Sequence, residues 1–460
     1  MRTTMFVATV LLGAALAART PAPVEPDITS TPLDQQQQQT EIRTSIGGAS
    51  GRLPRLAIPA FLGAGADAEL QDASKTLADV LWKDLEFERE FQMISQSGAA
   101  QIAPAPSDAL AYDTWSQIGA DDVLVGTVQR KDATLQVDVR VMSVDRKTST
   151  FGKRYSCAIR GIRLCAHTIA DELHKERFGL EGVARTKFAF TSDRDGERLG
   201  GTIEQRSIKE IYIADYDGQR ASRVTIRGSL NIAPAWSPDS RAIVYQSYQT
   251  GFVDIYVQKL YEVQVQLARP GRGTDRSQNF LPAWSPDGSR VAFASSRDGN
   301  FEIYTVKADG TDLRRLTSHP SDDSAPTWSP NGAQIAFTSA RSGSNQIYVM
   351  SADGGPVTKL TSEPRKADRP TWALDYIAYS AEVPGGVEIK KITVGTRQEV
   401  QLTNGPGTNE SPTVAPNGRH IAFVTTRWGK EQIAIMDADG RNVRQITFTG
   451  NNRYPSWSKR

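Results

Sequence analysis

The chain has 460 residues, and its 54 basic and 52 acidic side chains leave a formal charge of only +2. With no dense basic stripe, that balance argues against a nucleic-acid partner. Two cysteines are too few for a disulfide scaffold, and the length is too great for one core, so two or three domains are expected.

Residues 1–17 carry Arg2, an apolar run over 5–16 and the small-x-small triplet Ala15-Leu16-Ala17. This order predicts a secretory signal peptide cut near Ala17 and Ala18, with an uncleaved terminal helix as the alternative. The run is too short to span a bilayer. Residues 18–40 are rich in Pro, Gln and Thr and have no apolar period, which predicts a flexible lead.

From Glu41 to about 180 the pattern is that of a compact α/β domain. A strand is predicted over 53–61, a helix over 66–91 with apolar residues at helical spacing, and a strand near Met93. A short helix over 109–118 follows, then alternating runs at 123–128, 135–141 and 149–159. A helix over 162–177 closes the segment.

After Glu181 the text turns to short strands at a fixed period. PAWSPDG (282–288) has relatives beginning at Pro234, Pro326, Pro370, Pro412 and Pro455, spaced 42 to 48 residues apart. That period, with four strands per unit, means propeller blades. Pro286, Asp287 and Gly288 suit a tight turn, and Trp284 suits the space between neighbouring sheets. Three-strand units begin six times, but the first lacks a preceding PxW strand and the last PxW strand lacks a following unit. Pairing the C-terminal strand with the first unit closes six blades over 183–460 and leaves no edge open. Blade one carries extra residues over 192–209.

Few patterns carry chemistry. DxDG runs at 215–218 and 437–440 lack the later ligands of a calcium loop and read as hairpin turns. On a helix Cys165 and His167 would point about 200° apart, which excludes a shared zinc site, so no metal and no cofactor are expected. A Cys157–Cys165 bridge in an oxidising compartment is the alternative for that cluster. With no nucleophile elbow, HExxH or phosphate loop, no catalytic residues emerge. A propeller lyase, a peptidase-associated domain or a ligand-binding propeller is the alternative function.

The α/β segments DLEFEREFQMIS (84–95), WSQIGADDVLVGTV (115–128) and LCAHTIADELHKERFG (164–179), followed by the six repeats, resemble the TolB family of the Tol-Pal envelope system. The resemblance implies a monomeric, non-catalytic periplasmic adaptor, peripheral to the envelope membranes through its partners. It implies binding of the lipoprotein Pal through the propeller and of TolA through an N-terminal tail, here Glu41, Ile42 and Arg43. Some twenty extra residues precede that tail. Matching Pal-facing positions are Gln278, Leu281 and Ser324, with Gln278 where relatives often place a His.

Partner choice should lie in what the repeats do not share, the residues just before each Pro. Read as loops ringing one channel mouth, these supply Asn231, Asn279, Phe280 and Leu281 in the first half of the ring. Asp323, Asp368, Arg369, Asn409, Glu410 and Arg453 continue it. Ordinary loop drift would also produce such variation. Phe280 and Leu281, adjacent on a tight loop, should leave at least one apolar side chain facing solvent.

Overall fold

The computed structural model describes residues 28–33, 52–63, 67–198, 208–226, 228–260, 265–267, 277–362 and 365–459. The expected signal peptide and the tail residues Glu41, Ile42 and Arg43 lie outside the described residues.

The N-terminal domain is built on one sheet. Strands β1 (Thr29–Pro32), β2 (Arg55–Ala57), β3 (Leu62–Gly63) and β4 (Gln92–Met93) are short. Longer strands β5 (Asp122–Lys131), β6 (Thr134–Ser143) and β7 (Ser149–Ala158) form an antiparallel meander. The sheet order is β1-β7-β6-β5-β2-β4, with β2 parallel to both its neighbours and β3 also on β5. Helices α1 (Ala68–Glu88), α2 (Gln96–Ala99), α3 (Tyr112–Gln117) and α4 (Ile162–Phe178) complete it.

α1 starts where the Asp67 side chain accepts the Glu69 N–H at 2.9 Å, and it ends at Arg89, whose φ of 60° breaks the helix. Leu70, Leu77, Leu81 and Leu85 return on one stripe and are buried. Each such leucine contributes roughly 1.5–3 kcal/mol. A disulfide joins Cys157 of β7 to Cys165 of α4, with Cα atoms 6.0 Å apart.

The expectation of a flexible lead over 18–40 does not hold at Thr29–Pro32, which form β1. Thr29 pairs opposite Ser156 and Pro32 opposite Lys153, and Leu33 is buried behind them. All four strand residues are exposed, so no apolar alternation marks the strand in the sequence. Main-chain pairing at a sheet edge holds it, and an edge tolerates Pro32.

The rest of the chain is a six-bladed β-propeller of four-stranded antiparallel sheets. Blade one is composite: Asn452–Trp457 pairs with Lys187–Ser192, followed by Glu210–Asp215 and Ser222–Arg223. Blades two to six begin with Asn231–Trp236, Asn279–Trp284, Asp323–Trp328, Ala367–Trp372 and Asn409–Val414. These innermost strands are here called a, and those following them outward b, c and d.

Repeated residues account for the repeat geometry. In the turn after Trp284, Asp287 accepts the Ser289 N–H at 3.1 Å and Gly288 takes φ 72°. Trp328 and Trp457 are buried, and the Trp457 indole donates to Thr186 Oγ1 at 2.7 Å.

The residues before each Pro are not loops. They belong to strand a, and each a–b pairing slips at that point, as between Ile232 and Ala235. The residue just before the Pro is left-handed in all six strands: Ala233, Leu281, Ala325, Arg369, Ser411 and Tyr454 have φ from 48° to 53°. Proline has no N–H for the ladder, so a bulge accommodates it without losing the strand.

Candidate functional site

Six strands a converge on a channel whose wall is made by the prolines of the motif and the six left-handed residues. The strands enter from one face, the mouth, where the b–c loops also lie.

The predicted rim residues divide by their place in strand a. Asn231, Asn279, Asp323 and Asn409, first in their strands, are all fully buried, which corrects their reading as partner contacts. Asn279 Nδ2 donates to Asp254 Oδ1 of the preceding blade at 2.9 Å, and its Oδ1 accepts Arg297 at 3.1 Å. Asn409 repeats this with Glu388 at 2.8 Å and Arg427 at 3.0 Å. Asn231 donates to Glu210 at 2.7 Å, and Asp323 accepts Arg341 at 2.8 Å. Polar side chains at these sites fasten blades because a buried amide or carboxylate must be satisfied.

The second positions remain accessible, as do Leu281, Arg369 and Tyr454 at the third, whereas Ala233, Ala325 and Ser411 there are buried. Phe280, Ser324, Asp368, Glu410 and Arg453 are half-buried, and Gln278 just ahead of its strand is exposed. Phe280 packs on Phe301 with ring centroids 5.2 Å apart, so it is no free tip. Leu281 is half-buried in the channel wall, its N–H donated to Gln246 Oε1 at 3.0 Å. The expected exposed apolar loop tip is therefore absent, because the bulge turns Leu281 inward. Arg453 is paired with Glu431, and Asp368 accepts Thr338 Oγ1 at 2.9 Å.

The opposite face carries a polar seam with the α/β domain that the sequence reading did not anticipate, having weighed His167 there only for zinc. Asp84 and Glu88 of α1 lie on the same stripe as Leu77, Leu81 and Leu85 and are almost fully buried. Acids on an apolar stripe were the available signal. Asp84 accepts Tyr216 Oη of blade one at 2.7 Å and faces His167 Nδ1 of α4 at 2.8 Å. Glu88 accepts the Val183 N–H at 2.7 Å. Its other oxygen lies 3.6 Å from His420 Nε2 of blade six, 3.8 Å from His174 Nε2 and 3.5 Å from Arg419. His420 Nδ1 lies 3.4 Å from Asp437, which Arg89 also approaches. Phe87 stacks on His420 and edges onto Tyr216, so apolar and polar contacts share the seam.

Charge sets the protonation there. Burial works against a charged His420, but Asp437 and Glu88 outweigh it and raise its pKa. Burial likewise opposes a charged His167, and Asp84 overrides it upward. Glu88 would be raised by burial, yet His420 and His174 hold it below the usual carboxylate range. Asp437 is lowered against burial by His420, Asn442 and Arg89.

The α/β domain occupies the a–b and c–d turns of blades six and one, through Asn417, Arg419, Asp215 and Asp437. The mouth lies at the other end of the same strands. This architecture defines a two-domain propeller protein with one face occupied by its own α/β domain. The TolB amino-terminal domain profile matches residues 42–150, and the TolB beta propeller domain profile matches residues 178–460. The chain is 35% identical over 435 residues to the Tol-Pal system protein TolB of Bordetella avium, covering 93% of this chain and 92% of that one. A TolB of Desulfosudis oleivorans is 33% identical over 211 residues, about 45% of each chain. The crystal structure of TolB from Acinetobacter baumannii shares the fold, with a TM-score of 0.73 at 24% identity over 88% of this chain and 97% of that one. The chain belongs to the TolB family.

Proposed function

We propose that this protein is a non-catalytic periplasmic adaptor of the Tol-Pal system, binding the lipoprotein Pal at the propeller mouth and TolA through its N-terminal tail. Exchange between these partners would help draw the outer membrane inward at division and keep it intact. The observation that carries the proposal is the near end-to-end match to a Tol-Pal system protein, over 93% of this chain. The mouth supports it, because the α/β domain leaves that face open and its accessible residues differ from blade to blade. Pro, Ala, Thr and Ser dominate the channel wall, and among its described residues there is no carboxylate or imidazole to serve as acid and base. A disulfide suits an oxidising compartment. The test is capture of purified Pal and TolA domains by the full-length protein. Saturable binding of Pal is expected, and its failure to bind refutes the adaptor reading.

A further inference from the structure

The six left-handed positions at the channel mouth carry one charged side chain. Arg369 leaves blade five and reaches Tyr454 of blade one. Its guanidinium lies 4.6 Å from the centre of the Tyr454 ring, and Nη2 is 3.4 Å from the phenol oxygen. The Tyr454 ring and hydroxyl therefore hold the cation at the channel wall. The in-plane edge carries five N–H donors. Among the described residues that edge meets only the long contact to Tyr454 and Asp368 Oδ2, 3.9 Å from Nε. Asp368 Oδ1 accepts Thr338 Oγ1 at 2.9 Å and the Arg369 N–H at 2.8 Å, so only Oδ2 faces the guanidinium, at a distance too long for a hydrogen bond.

Other mouth arginines are used differently. Arg453 is taken by Glu431, and Arg341 by Asp323 at 2.8 Å. Arg369 keeps 27% of its side chain exposed at a cavity of about 160 Å³, lined also by Leu281 and Ser411.

We infer that Arg369 is a specificity-determining residue of the mouth, receiving a carboxylate side chain of the protein partner that docks there. The inference rests on the adaptor reading above. Two parallel N–H donors match two carboxylate oxygens, and the Tyr454 ring holds the fork in place before the partner arrives. Half-shielded from water, such a pair is stronger than one on an open surface. Lysine, a point charge on a flexible stem, would not reproduce it.

The experiment titrates full-length wild type, Arg369→Lys and Arg369→Gln with a soluble Pal domain by calorimetry, with melting curves for each. Arg369→Gln should weaken binding about ten-fold or more, and Arg369→Lys should fail to restore most of that loss. In a double-mutant cycle, one acid-to-amide change on Pal should weaken wild type and leave Arg369→Gln unaffected. Wild-type affinity in Arg369→Gln overturns the inference while leaving the adaptor reading intact. A wild type that does not bind Pal removes the adaptor reading and this inference together. Free glutarate serves as a second probe: if it binds tighter than millimolar to wild type but not to Arg369→Gln, the carboxylate belongs to a small molecule and the docking assignment is wrong.

Discussion

Replacing His420 by glutamine should weaken the seam between the α/β domain and the propeller by about 3 kcal/mol, and most at mildly acid pH. His420 sits between two carboxylates of different elements, Glu88 at 3.6 Å and Asp437 at 3.4 Å. At an effective dielectric of about 20, each attraction is worth roughly 5 kcal/mol before desolvation. Burying the imidazolium cancels several kcal/mol of that total. Without the cation the two acids face one another, relieved only partly by Arg419 and Arg89. Loss of one partner from a buried pair costs about 3–5 kcal/mol, and those two arginines set the lower end here.

The sign of the pH effect follows from the shifts. His420 is raised, so its contribution is complete below the ordinary histidine value of about 6.5 and is lost as pH rises through the raised one. Glu88 and Asp437 are lowered, so their part is present above the ordinary carboxylate range near 4 and is lost as pH falls through the lowered values. The seam should therefore be firmest between about pH 4.5 and 6.5. Differential scanning calorimetry from pH 5.5 to 8.5 should show wild type losing more stability on the alkaline side than His420→Gln. His167, raised by Asp84, supplies the slope that remains in the variant. Parallel curves for the two proteins would refute the reasoning.

Removing residues 452–460 should cost about 4 kcal/mol or more, because it bares the inner edge of Lys187–Ser192 and uncovers Phe188, whose ring packs 4.5 Å from Trp457. If the shortened chain melts like the full one, the closing strand is dispensable. Cys157→Ser with Cys165→Ser should lose about 2–3 kcal/mol in urea unfolding, the entropy of a short closed loop. Recovery of both native thiols free on alkylation would remove the basis of that expectation. Leu281→Asp should weaken Pal binding by about 2 kcal/mol with little change in melting, since its main-chain bond to Gln246 is retained. Unchanged affinity would show that the mouth contact lies elsewhere.

The ring was legible because each blade repeats the same solutions: a proline, a turn and a large apolar body recur at one spacing, and spacing survives substitution. α1 and α4 were legible from their apolar stripes. What escaped was set by context that no local pattern carries. Asn279 and Asn409 read as surface residues because isolated amides prefer water; their partners, Asp254 and Glu388, sit more than twenty residues away in the preceding blade. Phe280 and Leu281 read as a loop because Pro282 follows them, whereas the bulge keeps them in a strand. β1 left no trace because the four residues of this edge strand are exposed and are held mainly by main-chain pairing. His174 of α4 and His420 of blade six are far apart in sequence and come together around Glu88 only when the two domains do.

The left-handed bulge restricts how this mouth can vary over evolutionary time. Valine, isoleucine and threonine are sterically penalised at positive φ, and the six positions hold Ala, Leu, Ala, Arg, Ser and Tyr, none of them β-branched. The slip in pairing also means that a change there does not have to be matched by a cross-strand neighbour. Each position thus draws on a reduced alphabet of unbranched side chains, with Arg369 and Tyr454 coupled to one another by their contact. Substitutions among these letters therefore reshape the channel wall around one axis while the blades stay as they are.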